Sequence, residues 1–341
     1  MKKIKVFING LGRIGRVFIR QNLNNPDIDI IGLNDPNISS KNLEYLLEFD
    51  STYGRIENKF FSSSDKKIII NKKKITITNT IDLNKINFKA DILLDCSGLV
   101  DTTHLRNLQT ISKVKAKYVI VTNDINDFQP IIIGVNDQEI NLNKRIFTSS
   151  ICDTVASAPI IDCLQKNLDI VSGKITTLHP YLNYQKLLDG AEINNINDSF
   201  VMGRSSLNSI LPKSTSVVYS LNKIFNGINT KIHCMSFRVP TSIVSCGIMD
   251  LEISKSKLTK KNIINMLKNY SKNKKGLMNF IDKPLTSIDY LGSAYATNID
   301  TKWIEIINKN KIQLIYWYDN EWGYVNSISR LIDFIKKNMK F

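Results

Sequence analysis

Histidine is scarce. The 341-residue chain has three, His104, His179 and His233, so any chemistry needing an imidazole chooses from a short list. Cysteine is scarce too and odd in number: Cys96, Cys152, Cys163, Cys234 and Cys246 lie far apart, with no Cys-x-x-Cys pair. That argues against a zinc ribbon or a disulfide framework and for reduced thiols; no metal is expected. No apolar run is long enough to span a bilayer, so no membrane partner is expected. The start, Met1-Lys2-Lys3-Ile4, imitates the basic end of an export signal. Its apolar stretch breaks at Asn9-Gly10 and Arg13, too soon for the remainder of one, so the chain reads as cytoplasmic. Internal repeats are absent.

Acidic residues are outnumbered, 31 Asp and Glu against 46 Lys and Arg, leaving a net charge of +15. Nucleic-acid binding is one reading of that excess. The lysines, however, are scattered in short runs such as Lys72-Lys73-Lys74 and Lys336-Lys337, without interleaved aromatics. A solvated basic surface is the reading adopted, and no nucleic-acid partner is expected. With 43% hydrophobic and 23% charged residues, the composition is that of a soluble globular protein long enough for two domains.

What is present begins at residue 4. Ile4–Ile8 reads as a buried strand, followed by Asn9-Gly10-Leu11-Gly12-Arg13-Ile14-Gly15-Arg16, an amphipathic run to Leu23, and a second apolar strand ending at Asn34-Asp35. Strand, Gly-rich turn, helix, strand, then acid is the βαβ dinucleotide fingerprint in its proper context. Gly10 permits the tight turn, Gly12 the approach of a pyrophosphate to backbone at a helix N-terminus, and Gly15 close helix–strand packing. Asp35, twenty residues past Gly15, is placed to accept from ribose hydroxyls, and an acid there favours NAD over NADP. Further strands end in polar turns at Asp95-Cys96-Ser97-Gly98 and Thr122-Asn123-Asp124; Lys66–Ile70 and Lys74–Thr78 read as a hairpin, Ile131–Val135 and Arg145–Phe147 as strands, and His104–Leu108 as helical.

The central stretch is Thr148-Ser149-Ser150-Ile151-Cys152-Asp153-Thr154, between a strand-like segment and a helix-like one, Val155–Gln165. A cysteine at such a corner can have its thiolate stabilised by the helix N-terminus. The alternative is an inert apolar filler. After Pro159 a helix, Ile160–Leu168, leads into longer alternating strands at Ser172–His179, Lys231–Val239, Ser242–Ile253 and Lys311–Tyr318, which read as an antiparallel sheet. The fold class is therefore α/β: a Rossmann-type doubly wound parallel sheet with a second α+β domain on an antiparallel or mixed sheet. Residues 1–151 form the first domain and 152–319 the second, with a C-terminal helix at about 320–341 returning to the first. His179 ends a strand and is the histidine best placed to meet Cys152 and activate it.

Together the glycine turn, Asn34-Asp35, the cysteine corner, His179, Phe237-Arg238-Val239-Pro240-Thr241 and Trp317-Tyr318-Asp319-Asn320-Glu321-Trp322-Gly323-Tyr324 resemble the glyceraldehyde-3-phosphate dehydrogenase family, from Lys5 to about Ile335. The resemblance implies an NAD-dependent aldehyde dehydrogenase acting on glyceraldehyde 3-phosphate. Cys152 would form a thiohemiacetal and then a thioester, His179 would handle the protons, and inorganic phosphate would release the acyl group. It also implies that Gly10, Gly12, Arg13, Ile14, Gly15, Asp35, Thr122 and Asn320 meet the cofactor. Ile151, Asp153, Thr215, Ser216 and Arg238 would line the substrate and phosphate sites, and the assembly would be a homotetramer.

Departures accompany the match. Where the family reads Ser-Cys-Thr-Thr-Asn, this chain has Ile151-Cys152-Asp153-Thr154-Val155; Leu182, Met202 and Ser216 also replace the family's residues. A carboxylate about 5 Å from a phosphate, at an effective dielectric of about 20, repels it by roughly 3 kcal/mol per unit charge. Two alternatives follow: a related dehydrogenase for another aldehyde, such as erythrose 4-phosphate, with water as acceptor, or a non-catalytic NAD-binding protein.

Overall fold

The structure is a computed structural model, and it describes residues 3–56, 61–64, 66–70, 72–99, 113–126, 128–192, 200–254 and 257–339. The segment His104–Leu108, expected to be helical, lies outside the described residues, as does Asn71 of the expected hairpin turn. The chain divides into two compact units, Met1–Ile151 with Val325–Phe341, and Cys152–Tyr324.

The first unit is built on β1 (Ile4–Asn9), β2 (Ile28–Asn34), β3 (Phe61–Ser64), β4 (Lys67–Ile70), β5 (Lys73–Thr78), β6 (Ala90–Asp95), β7 (Ala116–Val121) and β8 (Ile146–Thr148). Their order is β3-β4-β5-β2-β1-β6-β7-β8. The six strands from β5 to β8 run parallel, and β3 and β4 add an antiparallel edge. β1 and β7 are buried at five of six positions, as strands covered on both faces must be. Helices α1 (Arg13–Gln21) and α2 (Ser40–Glu48) follow β1 and β2. The strand expected at Ile131–Val135 does not form; Pro130 makes only an isolated bridge with Thr148. Asn136 supplies the reason. Its side chain donates to the Pro130 carbonyl at 2.8 Å and accepts from the Ile132 N–H at 2.9 Å, replacing the ladder by a local turn.

Asn9, Asn34, Thr78 and Asp95 sit in register at the carboxyl ends of β1, β2, β5 and β6. Their side chains join in one row. Asn34 Nδ2 donates to Asn9 Oδ1 (2.8 Å), Asn9 Nδ2 to Asp95 Oδ1 (2.6 Å), and Thr78 Oγ1 to Asn34 Oδ1 (2.8 Å). This polar seam fixes the strand ends beside the glycine turn.

The second unit opens with α3 (Cys152–Leu168), a single helix running through Pro159. The expected segments, Val155–Gln165 running through that proline and Ile160–Leu168 just after it, are parts of this one helix. Thirteen of the helix's residues are buried, including all of 153–164, so packing on every side outweighs the hydrogen bond that proline removes. Its sheet has the order β10 (Leu211–Lys213), β11 (Ile232–Val239), β9 (Ile170–Pro180), β12 (Ser245–Ile253), β15 (Lys311–Tyr318), β14 (Thr297–Ile307), β13 (Met278–Ile281). The sheet is mixed: β9 pairs parallel with β11, and β13 with β14. Helices α4 (Val217–Ile224) and α5 (Lys260–Ser271) complete this unit, and α6 (Trp322–Asn338) carries the chain out of it.

Candidate active site

β9 and β11 pair so that His179 lies directly opposite Arg238. Partners across a ladder project to the same face. On the other side of β9, the pair Cys246↔Leu178 precedes by one step the level at which Ser245 meets Tyr318 of β15. One row across the sheet thus carries Arg238, His179 and Tyr318. The first turn of α3 delivers Cys152 and Asp153 to it.

Cys152 Sγ lies 3.6 Å from His179 Nε2. The other ring nitrogen, Nδ1, is 2.8 Å from the Pro180 carbonyl oxygen. A carbonyl only accepts, so Nδ1 carries the proton and Nε2 turns its lone pair toward the sulfur. The Cys152 thiol donates to Asp153 Oδ1 at 3.4 Å, and the same oxygen accepts from the Tyr318 hydroxyl at 2.8 Å. Ser157, one turn along α3, donates to the Asp153 carbonyl at 2.7 Å and meets Tyr316 Oη at 2.7 Å. The corner itself is tense: Ser150, fully buried, holds φ at 65°. Left-handed backbone at a non-glycine residue costs on the order of 1–3 kcal/mol and gathers at functional sites.

Two opposed effects meet at the corner: a helix N-terminus can favour the Cys152 thiolate, and the Asp153 carboxylate disfavours it. Burial, then the Asp153 charge and its hydrogen bond, push the thiol well above its ordinary value against the pull of Arg238. Burial also lowers His179 to about 4, with Asp153 opposing. The resting pair is a thiol and a neutral imidazole.

Arg238 is buried, and its Nε has no hydrogen-bond partner. Lys213 on neighbouring β10 donates to Tyr184 Oη at 3.3 Å. Both cations act on His179. An unsatisfied buried guanidinium nitrogen costs free energy unless an acceptor meets it, and an anionic substrate group is such an acceptor. Thr215 and Ser216 stand at the start of α4, where Thr215 Oγ1 accepts from the Val217 N–H at 3.3 Å; neither joins the hydrogen bonds around Cys152. Ile151 is the half-buried residue immediately before α3.

In the first unit the three glycines of the turn differ in kind. A β-carbon on Gly10, which has φ of 91°, would lie 2.5 Å from the Cys96 backbone, and one on Gly15 would lie 2.1 Å from the Gly10 carbonyl. Packing of the chain demands those two. A β-carbon on Gly12 would meet nothing within 4 Å. Gly12 leads α1, whose start has no side-chain cap, with Arg13 and Ile14 as its first residues. Open space over an uncapped helix start is what a pyrophosphate requires. Asp35 Oδ2 accepts from the Leu11 N–H at 2.9 Å, which holds its carboxylate over the turn. The Arg13 side chain is paired with Asp50 at 2.6 Å. Thr122, just past β7, donates its hydroxyl to the Asp95 carbonyl at 3.0 Å. In the second unit Asn320 is buried with its Oδ1 unpartnered, an acceptor suited to a carboxamide N–H. These features fit NAD.

Tyr318 and Pro180 are the site members that sequence reasoning missed. Tyr318 stood inside the recognised Trp317–Tyr324 motif, but nothing local to it points to a partner 165 positions away.

Residues 4–103 match the family model described as glyceraldehyde 3-phosphate dehydrogenase, NAD binding domain, and residues 151–320 that of the C-terminal domain. The chain is 32% identical over 340 residues to the glyceraldehyde-3-phosphate dehydrogenase of Podospora anserina, covering 98% of both chains. It is 31% identical over 335 residues to a chloroplastic glyceraldehyde-3-phosphate dehydrogenase of Arabidopsis thaliana, covering 97% of this chain and 78% of the relative. With that of Phytophthora infestans it shares 29% identity over 98% of this chain and 100% of the relative. A thiol 3.6 Å from an imidazole lone pair, a buried arginine opposite that histidine in the sheet, and in the other unit a dinucleotide turn accord with this likeness, and the chain belongs to the glyceraldehyde-3-phosphate dehydrogenase family as an NAD-dependent oxidoreductase of that type.

Proposed function

We propose that the chain oxidises glyceraldehyde 3-phosphate with NAD through an acyl thioester on Cys152. The observation that carries this reading is the 3.6 Å approach of Sγ to an imidazole nitrogen whose lone pair is fixed by the Pro180 carbonyl. Burial disfavours a lone thiolate and a lone imidazolium, but proton transfer from Sγ to Nε2 creates both together as a pair of zero net charge. As the sulfur attacks the aldehyde carbon, its proton passes to His179 and then to the new alkoxide, giving a thiohemiacetal. His179 Nε2 next takes the hydroxyl proton; NAD, when bound, would supply the hydride acceptor that oxidises this carbon to the thioester. Inorganic phosphate then attacks the thioester, the C–S bond breaks, and the sulfur recovers its proton from His179. Arg238 binds the substrate phosphate, with Thr215 and Ser216 at its margin. Gly12, Arg13 and Ile14 would offer backbone to the pyrophosphate, Asp35 would bind the ribose, Thr122 would meet the cofactor and Asn320 would accept from the carboxamide.

The Asp153 carboxylate beside Sγ favours a second reading for the last step, in which water replaces phosphate. Both versions predict a burst of one NADH per chain from glyceraldehyde 3-phosphate without phosphate. The phosphorylating version predicts steady turnover only when phosphate is added, and an increase in it with Asp153→Thr. Steady turnover that ignores phosphate would establish the hydrolytic version. No burst, with Cys152 alkylated by iodoacetamide no faster than Cys234, would leave a non-catalytic NAD-binding protein. The family resemblance further supports a cytoplasmic homotetramer, which sedimentation would test. Among the described residues no helix is long and apolar enough to cross a membrane.

A further inference from the structure

The three donors at the corner, Cys152 Sγ, His179 Nε2 and an Asp153 carboxylate oxygen, lie within 4.8 Å of one another. Sγ is 3.6 Å from Nε2 and 3.4 Å from Asp153 Oδ1. Zinc binds thiolate at about 2.3 Å and imidazole nitrogen or carboxylate oxygen at about 2.0–2.2 Å, so tetrahedral donors stand about 3.3–3.6 Å apart. Both measured separations match that spacing. The surroundings match as well. A zinc-bound histidine commonly donates its second ring N–H to a backbone carbonyl, and a ligating carboxylate is itself hydrogen-bonded. Here Nδ1–H meets Pro180 O at 2.8 Å, and the Tyr318 hydroxyl donates to Asp153 at 2.8 Å. Three of the four positions of a tetrahedral ion are thus supplied from the first turn of one helix and one strand end, leaving the fourth for water.

We propose that Cys152, Asp153 and His179 form a reversible Zn²⁺ site, in which the metal displaces the thiol proton and takes the imidazole lone pair. Asp153 is the residue that turns a reactive pair into a three-ligand set. The Arg238 charge acts on the same sulfur and opposes any cation. The ion must therefore be held by covalency with a thiolate, which selects zinc over magnesium or calcium. The site stands on geometry alone. Its consequence, reversible arrest of turnover by zinc, rests on the dehydrogenase reading, because the ion occupies both the nucleophile and the base.

The test uses the full reduced chain without NAD. Calorimetric titration with Zn²⁺ should give one tight site per chain, and Mg²⁺ or Ca²⁺ at least about a hundredfold weaker binding. Substituted Co²⁺ should show thiolate-to-metal charge transfer and intense tetrahedral d–d bands. Asp153→Asn and His179→Gln should each weaken Zn²⁺ by about tenfold or more, and Cys152→Ser should abolish the charge-transfer band. Bound Zn²⁺ should slow iodoacetamide at Cys152 and leave Cys234 unchanged. A Co²⁺ spectrum without thiolate bands in the parent chain would overturn the proposal whatever the variants do. So would affinity within twofold of the parent in a folded Asp153→Asn. Absence of dehydrogenase activity would leave these spectroscopic readouts intact, so the two readings fail separately.

Discussion

Asp153 Oδ1 serves two donors at once, the Cys152 thiol and the Tyr318 hydroxyl. Tyr318→Phe removes one of them from a buried carboxylate, and unfolding in urea should show a loss of about 1–3 kcal/mol. His179→Asn should lower steady turnover by about 10²–10⁴-fold, the usual weight of a positioned general base, while NAD affinity measured by fluorescence stays within a few-fold. Asp95, in the polar seam of the first unit, has its carboxyl raised to about 6, chiefly by burial and against hydrogen bonds from Asn9 and Ser97. Its unfolded counterpart ionises near 3.8. Between those values the folded state holds the extra proton, so stability falls as pH rises from about 4 to about 6, by about 3 kcal/mol, and is level above. Asp95→Asn should abolish that contribution, so the difference between the two proteins' stability–pH curves should show that slope. The sequence made Cys152 and His179 readable as a pair, and Asp153 readable as an intruder. It could not reveal that Tyr318 and the Pro180 carbonyl hold the group in place, since those contacts come from sheet register and not from spacing.

Gly247 on β12 shows how an element is seated. A β-carbon there would lie 2.0 Å from the Tyr316 ring, and Tyr316 reaches α3 through Ser157 at 2.7 Å. Gly247→Ala should push that ring aside, lower stability by about 1–3 kcal/mol in thermal unfolding, and slow the NADH burst by loosening the helix that bears Cys152. Elements with a simple period were legible: β1, β2 and the turn before α1 were read from pattern alone. Others were not, each for a physical cause. Val155–Gln165 and Ile160–Leu168 look like two segments, but packing wraps α3 into one helix through Pro159. Ile131–Val135 looks like a strand, but Asn136 folds it locally. β13 and β14 escaped notice because the burial of β14 does not alternate: its first five residues are all buried, and Lys302 and Trp303 are exposed side by side. The parallel pairing of β9 with β11, which aligns His179 with Arg238, is a matter of topology that no single strand records.

Over the whole molecule the charge of +15 becomes a rate effect. A cationic field steers anionic substrates and is screened beyond about 10 Å at 0.1 M salt. Raising ionic strength should therefore lower kcat/KM for glyceraldehyde 3-phosphate by about threefold or more, with kcat held and with little change for unphosphorylated glyceraldehyde. The division of the chain has another outcome. Val325, Ile328, Leu331, Ile332 and Ile335 of α6 are buried, and residues from Val325 onward belong to the unit that begins at the N-terminus. Lys336 pairs with Asp27, and Arg330 donates to the Ile133 carbonyl. A ribosome makes these residues after all of the second unit. During synthesis the dinucleotide half waits, its core open along the flank that α6 will cover, while the half bearing Cys152 can already close. A chain truncated after residue 324 and free of the ribosome should accordingly protect Cys152–Tyr324 from protease while the earlier half is still cut, an order of maturation opposite to the order of translation.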